Sequence, residues 1–197
     1  MRKKKSTFES ICETRKIVMP EHINPHGTLF GGTIMSWIDK TAYMCAQNYA
    51  ECYSTVTANI DHIHFFRPAK IGDQVIIKSM VSYVGNTSME IDVSLETENA
   101  ITKEIVRIGD ASLTFVAIDT NGKKKIVPEL VLSTQEDYYR HKNAYSRILL
   151  REQMKRQLEE NKIDLFLPPT KKQSRTFSFY AIFHSLLLKQ ARQIHKS

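Results

Sequence analysis

The longest uninterrupted apolar pattern runs from residue 33 to 52, without glycine or proline. Its apolar residues (Ile34, Met35, Trp37, Ile38, Ala42, Tyr43, Met44, Cys45, Ala46, Tyr49 and Ala50) cover more than one face at helical spacing. The pattern predicts one helix about 30 Å long at roughly 1.5 Å per residue, buried on most sides. Residues 8–19 read as a strand closed by Pro20, and 20–32 as a loop. Beyond the helix, 54–66 is rich in Thr, Val, Ile and Phe and stops at Arg67-Pro68, while 73–84 stops at Gly85-Asn86, a hairpin signal. Residues 88–97 alternate Met89, Ile91, Val93 and Leu95 with Glu90, Asp92, Ser94 and Glu96, as a half-exposed antiparallel strand does. A further strand over 103–119 closes at Thr120-Asn121-Gly122. A charged helix over 134–160 opens at Ser133 or Thr134, with Glu136 and Asp137 in its first turn. The expected class is α+β: an antiparallel β-sheet wrapped around a long central helix, with a C-terminal helical extension.

The chemistry concentrates where the first loop enters that helix. Gly27, Gly31 and Gly32, three of the seven glycines, fall within six residues. Glycine lets the backbone approach a ligand closely, and a glycine turn opening a helix leaves N–H groups facing outward. Asn24 adds an amide just before the turn, and Asp39 puts a carboxylate two turns into the helix among Met35, Ile38 and Tyr43. A carboxylate in such surroundings is either partnered or perturbed. Donors for an oxyanion beside a base are the equipment for hydrolysing an acyl group.

The pattern Asn24-x-x-Gly27-x-x-Phe30-Gly31-Gly32-x-x-Met35-x-x-x-Asp39, followed by Phe65-x-x-Pro68-x-x-x-Gly72-Asp73, resembles the hotdog-fold acyl-CoA thioesterases of the acyl-CoA hydrolase branch. The resemblance implies a hotdog thioesterase domain over 8–123, a helical extension over 124–170 and a basic tail over 171–197 of open role. It implies hydrolysis of acyl-CoA, with Asn24 and Asp39 as the catalytic pair contributed by different subunits. Thr57 would help position the attacking water, and the Gly32 N–H would share the oxyanion. Gly31, Arg67, Gly85, Thr87 and Ser88 would line the substrate. No metal and no cofactor is expected. Self-association as a dimer that joins two sheets, and as a trimer of dimers, comes with the family. Two rival readings share the fold. A hydratase or dehydratase would need a catalytic histidine, for which His26 lies close; a non-catalytic acyl-CoA sensor would typically bring a DNA-binding helix pair.

Charge changes the picture little. The net charge is +7, but Arg2–Lys5 carry four positive charges and residues 171–197 six more with no acid, so 6–170 stands at −3. A nucleic-acid partner is therefore not expected. Cys12, Cys45 and Cys52 are odd in number behind an N-terminus without an apolar h-region, which favours reduced thiols and the cytoplasm. The longest apolar run of the tail, 177–188, falls short of the roughly twenty residues a membrane span needs; with its basic flanks it is a candidate only for contact with anionic lipid surfaces. Cys45 reads as a small core residue. His62-x-His64 shares one strand face, yet no Cys or Glu completes a ligand set at metal spacing, so a structural role is favoured.

Overall fold

The computed structural model describes residues 2–99 and 101–161. The end of the extension expected over 124–170 and the basic tail 171–197 lie outside the described residues. In chain order the elements are β1 (Lys4–Ser6), β2 (Cys12–Ile17), α1 (Gly31–Ala50), β3 (Ser54–Phe65), β4 (Gln74–Val84), β5 (Ser88–Glu98), β6 (Ile105–Ile118), β7 (Glu129–Val131) and α2 (Gln135–Asn161). Five strands form one sheet in the order β2-β4-β5-β6-β3, every neighbouring pair antiparallel. α1 crosses this sheet and touches all five strands, the arrangement of a hotdog domain. No helix among the described residues is long and apolar enough to cross a membrane.

Two expectations change. The strand over 8–19 is broken, because Phe8–Ser10 make a turn of 3-10 helix before β2 begins. The Ser10 hydroxyl faces inward and accepts the Val81 N–H at 2.9 Å, an anchor that an extended strand would not offer. Nor is α1 buried on most sides. Ile34, Trp37, Ile38, Ala42, Cys45, Ala46 and Tyr49 pack against Val75, Ile77 and Val81 of β4, Met89, Ile91 and Leu95 of β5, and Leu113 and Phe115 of β6. On the opposite side Met35 is 44% and Met44 37% exposed. One sheet covers one side of a helix, and the other stays open.

The N-terminal basic run is part of the fold. β1 pairs in parallel with β7, which aims Lys5, 7% exposed, at the C-terminal end of α1. Its ammonium donates to the carbonyls of Asn48 and Tyr49, each at 3.1 Å, groups the helix itself leaves unpaired. Glu51 ends the helix in the left-handed conformation at φ 47°, a place that usually falls to glycine. Lys3 and Lys5 hold its carboxylate there at 2.7 Å and keep its pKa down at about 2.

The sheet's other face carries acids. Along β5 and β6 the side chains that alternate with the core are Glu90, Asp92, Ser112 and Thr114, and Arg147 and Arg151 of α2 reach two of them. Arg147 donates to Asp92 at 2.6 Å. Arg151 donates to both oxygens of Asp61 at 2.7 Å and to Glu90 at 2.8 Å. Thr134 and Asp137 start α2 reciprocally: the Asp137 N–H donates to the Thr134 hydroxyl at 3.1 Å and the Thr134 N–H to the Asp137 carboxylate at 2.9 Å. This compact unit runs to Glu152. The turns of α2 beyond it belong to a second unit, where Lys155 and Glu159 pair at 4.0 Å.

Burial raises the Glu90 carboxyl above its ordinary 4.5 although Arg151 and Thr114 oppose the shift. The native state thus keeps that proton to higher pH than the unfolded chain. The associated stability is full below 4.5 and is lost as pH rises through the raised value. Glu90→Gln is expected to flatten the fall in urea stability between pH 4.5 and neutrality. Arg151→Met leaves Glu90 buried without a cation and is expected to cost about 3 kcal/mol at neutral pH, much of it restored in the Arg151→Met, Glu90→Gln double variant.

Candidate active site

The loop before α1 is a compact turn built on Asn24. Its Oδ1 accepts the N–H of His26 at 2.9 Å and of Thr28 at 3.3 Å, while its Nδ2 donates to the Thr28 hydroxyl at 3.0 Å. Gly27 turns the corner at φ 73°, a conformation that favours glycine. The Phe30 N–H then donates to the His22 carbonyl at 2.8 Å. His22 also meets Trp37 edge-on at 5.0 Å between ring centres, fixing the loop to the helix it feeds. Within one chain the Asn24 amide is thus engaged in its own turn.

α1 begins at Gly31, two residues earlier than expected, because Phe30 is extended (φ −67°, ψ 131°) and both glycines are helical. No side chain caps this end. The first-turn N–H groups, Gly32 among them, are left for a ligand or water, and the helix dipole favours negative charge there. Beside them opens a cavity of about 310 Å³, lined by Thr28, Leu29, Gly31, Ile34, Phe65, Phe66, Arg67, Pro68, Ala69 and Ile108. Gly109 makes its wall possible, because a β-carbon there would collide with the His64 carbonyl. Arg67 is exposed at the rim and has no hydrogen-bond or ion-pair partner for its side chain among the described residues.

Asp39 lies eight residues further along α1, about 12 Å at 1.5 Å per residue. It is half-buried on the helix's open side, and its Oδ1 accepts the Thr57 hydroxyl at 2.7 Å. That bond depends on β3. Thr57 pairs with Phe115 of β6, a core residue, which turns its side chain to the helix side; the strand slips register with β6 only beyond it, between Thr57 and Asn59. The partnered alternative holds for Asp39. Around it the open side is apolar, with Met35 and Ile60 each more than two-fifths exposed.

The remaining expected residues sit elsewhere. Gly85, Thr87 and Ser88 form the β4–β5 turn, where the Gly85 N–H donates to the Ser88 carbonyl at 2.9 Å. Arg2 holds this turn through the Gly85 carbonyl at 2.5 Å. The turn stands with the C-terminal end of α1, since Ser88 pairs with Val116 and Ser54 with Ile118, whereas Phe65 pairs with Gly109 at the other end of the sheet. One chain therefore brings Asp39 to Thr57 and Gly31 to Arg67, and keeps Gly85, Thr87 and Ser88 apart from both. Cys45 has the inert environment expected of it, burial pushing its thiol up to about 12. Phe65 opens the Phe65-x-x-Pro68 motif, while Phe66 and Ile108 line the cavity without a local sequence signal that singles them out.

Comparison with known proteins joins these features to a family. The model of the thioesterase superfamily matches residues 26–104. The uncharacterised acyl-CoA thioester hydrolase YkhA of Bacillus subtilis is 38% identical over 150 residues, 74% of this chain and 87% of that protein. The acyl-CoA hydrolase of Staphylococcus aureus, solved with butyryl coenzyme A, superposes at a TM-score of 0.74 and 33% identity over 80% of this chain and 96% of its own. A hexameric acyl-CoA thioesterase in its apo form superposes at 0.74 and 32% identity, over 77% and 97%. The chain belongs to the hotdog-fold acyl-CoA thioester hydrolases. Alanine variants of the S. aureus enzyme replace an asparagine, an aspartate fifteen residues later and a threonine seventeen beyond that. Here Asn24 and Asp39 are also fifteen apart, and Thr57 follows Asp39 by eighteen.

The turn geometry gives Asn24 a measurable structural share. Asn24→Ala removes both the acceptor and the donor of the turn and is expected to cost about 1–2 kcal/mol in urea unfolding. Asn24→Asp keeps the acceptor for the His26 and Thr28 N–H groups, so its unfolding midpoint should stay closer to wild type.

Proposed function

We propose that this chain, an acyl-CoA thioesterase by family, hydrolyses acyl-CoA to a carboxylic acid and CoA at a site completed by a second subunit. The observation that carries the reading is Asp39, held by Thr57 at 2.7 Å on the side of α1 that one chain leaves open. With one oxygen fixed by Thr57, the other faces a substrate or a water. Asp39 takes the proton from that water, or attacks the thioester carbonyl and forms an anhydride that water then opens. The Gly32 N–H, at the uncapped helix start, and the Asn24 amide hold the thioester oxygen as its charge develops. A thiolate leaves readily, so no strong general acid is needed. The cavity beside Gly31 suits an apolar acyl or pantetheine segment, with Arg67 at its rim for an anionic group.

Two features support the shared site. The Asn24 turn and Asp39 lie about two turns of helix apart in one chain. β3, twelve residues long and with Val56, Ile60 and Phe65 exposed, is the edge of the sheet. Such an edge exposes unpaired backbone groups that a second copy can satisfy by extending the sheet. In that dimer the Asn24 loop, and the Gly85, Thr87 and Ser88 turn, would come from the subunit opposite Asp39. A trimer of dimers follows the hexameric relatives. Cytoplasmic residence is part of the reading, supported by three free cysteines.

Asp39→Asn should abolish release of CoA from acyl-CoA, followed with a thiol reagent, while leaving oligomer mass unchanged. Retention of most of kcat would remove Asp39 from the chemistry. Asn24→Asp, which keeps the turn, should lose on the order of 10²–10³ in kcat. Subunit exchange between Asn24→Asp and Asp39→Asn proteins should restore part of the activity, because some mixed dimers hold one intact site. No recovery, with exchange verified by mass, would put the site within one chain.

A further inference from the structure

Away from this chemistry, β3 and β6 bring three further groups together on the sheet face opposite α1. His64 pairs with Asp110 and His62 with Ser112 in the strand register, and the pleat turns all four side chains to the same side. Ala111 and Leu113, between and beside them on β6, point into the core. The third ligand that local spacing lacked is thus Asp110, 46 residues beyond His64 in sequence and directly opposite it in space.

The distances distinguish two uses of such a cluster. His62 Nε2 stands 3.5 Å and His64 Nδ1 3.8 Å from Asp110 Oδ1. All three ligand atoms lie within 4.8 Å of one another. A hydrogen bond would draw nitrogen and oxygen to roughly 2.7–3.2 Å. Ligands sharing a tetrahedral ion at about 2.0–2.1 Å instead stand roughly 3.3–3.4 Å from one another. The two nitrogen–oxygen distances are too long for the first arrangement and near the second.

The surroundings are those of a ligand set. The other Asp110 oxygen accepts Arg107 Nη2 at 2.9 Å, which orients the carboxylate with Oδ1 toward the imidazoles, as outer partners of metal ligands do. The imidazole rings lie 4.9 Å apart with 32° between their planes. His64 is the outermost of the three, its side chain 65% exposed against 28% for His62 and 25% for Asp110, which leaves a coordination position to solvent.

We infer that His62, His64 and Asp110 form a binding site for one Zn²⁺ ion, with water as the fourth ligand. Two nitrogens and one carboxylate oxygen suit this borderline ion and are a poor match for Mg²⁺ or Ca²⁺, which take oxygen ligands. The ion stitches β3, the strand that carries Thr57, to β6. Its role is to stiffen the strand beneath the proposed site; it takes no part in hydrolysis.

The test uses the full-length chain, stripped of metal with a chelator and then dialysed free of it. Titration with ZnCl₂ in a calorimeter should give a one-to-one component that His62→Ala, His64→Ala and Asp110→Asn each weaken at least tenfold. His26→Ala, with its histidine on the Asn24 loop, should leave that component intact. Thermal unfolding should rise with Zn²⁺ in wild type, by mass action, and not in His64→Ala; MgCl₂ should move neither. His64 is largely exposed, so this variant keeps the fold, and its unchanged melting point without metal verifies that. Co²⁺ in place of Zn²⁺ should give visible absorption bands of a four- or five-coordinate ion that His64→Ala abolishes. Equal Zn²⁺ binding by wild type and the three variants, or no one-to-one component in wild type, would overturn the assignment.

Discussion

Everything in the proposed site depends on α1 being held by one side only. Trp37, Ile38, Ala42, Cys45, Ala46 and Tyr49 commit that side to the sheet, where burying each large side chain contributes roughly 1.5–3 kcal/mol. Asp39 and Met35 lie on the other side, where Asp39 is half-buried against Thr57 and Met35 stays 44% exposed. A helix fully wrapped in its own chain would have to bury a carboxylate at prohibitive expense in desolvation. An open side lets Asp39 keep one partner, Thr57, and remain available to a substrate.

Both ends of α1 are treated as charged objects. At its start the glycines leave donors uncapped, a state an ordinary helix avoids with Ser, Thr, Asp or Asn. At its end Lys3 and Lys5 supply positive charge to the carbonyls and to Glu51, which occupies a conformation usually left to glycine. One end is finished by the chain's own side chains, and the other carries no side-chain cap. The N-terminal basic run that composition assigns to a free end is in this way built into the frame of the helix.

The outer face follows a different logic. Glu90, Asp92 and Asp61 accept from Arg147 and Arg151, so directional ion pairs position α2 alongside the packing of Tyr83 on His141 and Tyr145. Buried pairs of this kind add little net stability but penalise misplacement heavily, which suits an element that has to dock in one register. It also means that these two arginines are engaged and are not available to CoA phosphates.

Periodicity gave the order of α1, α2 and the long strands but not the short β1 and β7, since alternation and helical spacing are local consequences of which faces meet the core. Asn24, Gly31, Gly32 and Asp39 stood out as candidates through the motif they share with the thioester hydrolases, which local sequence carries in full. What the sequence left open were juxtapositions. That Thr57 meets Asp39 rests on its pairing with the core-facing Phe115, which is set by the partner strand β6 and not by the residues of β3 alone. That Asn24 serves its own turn, that Gly85, Thr87 and Ser88 lie at the far end of α1, and that Asp110 stands opposite His64 are all set by strand register. Register is decided only when the two faces of the sheet compete for their side chains in the folded state, because a slip of one residue turns every side chain to the other face.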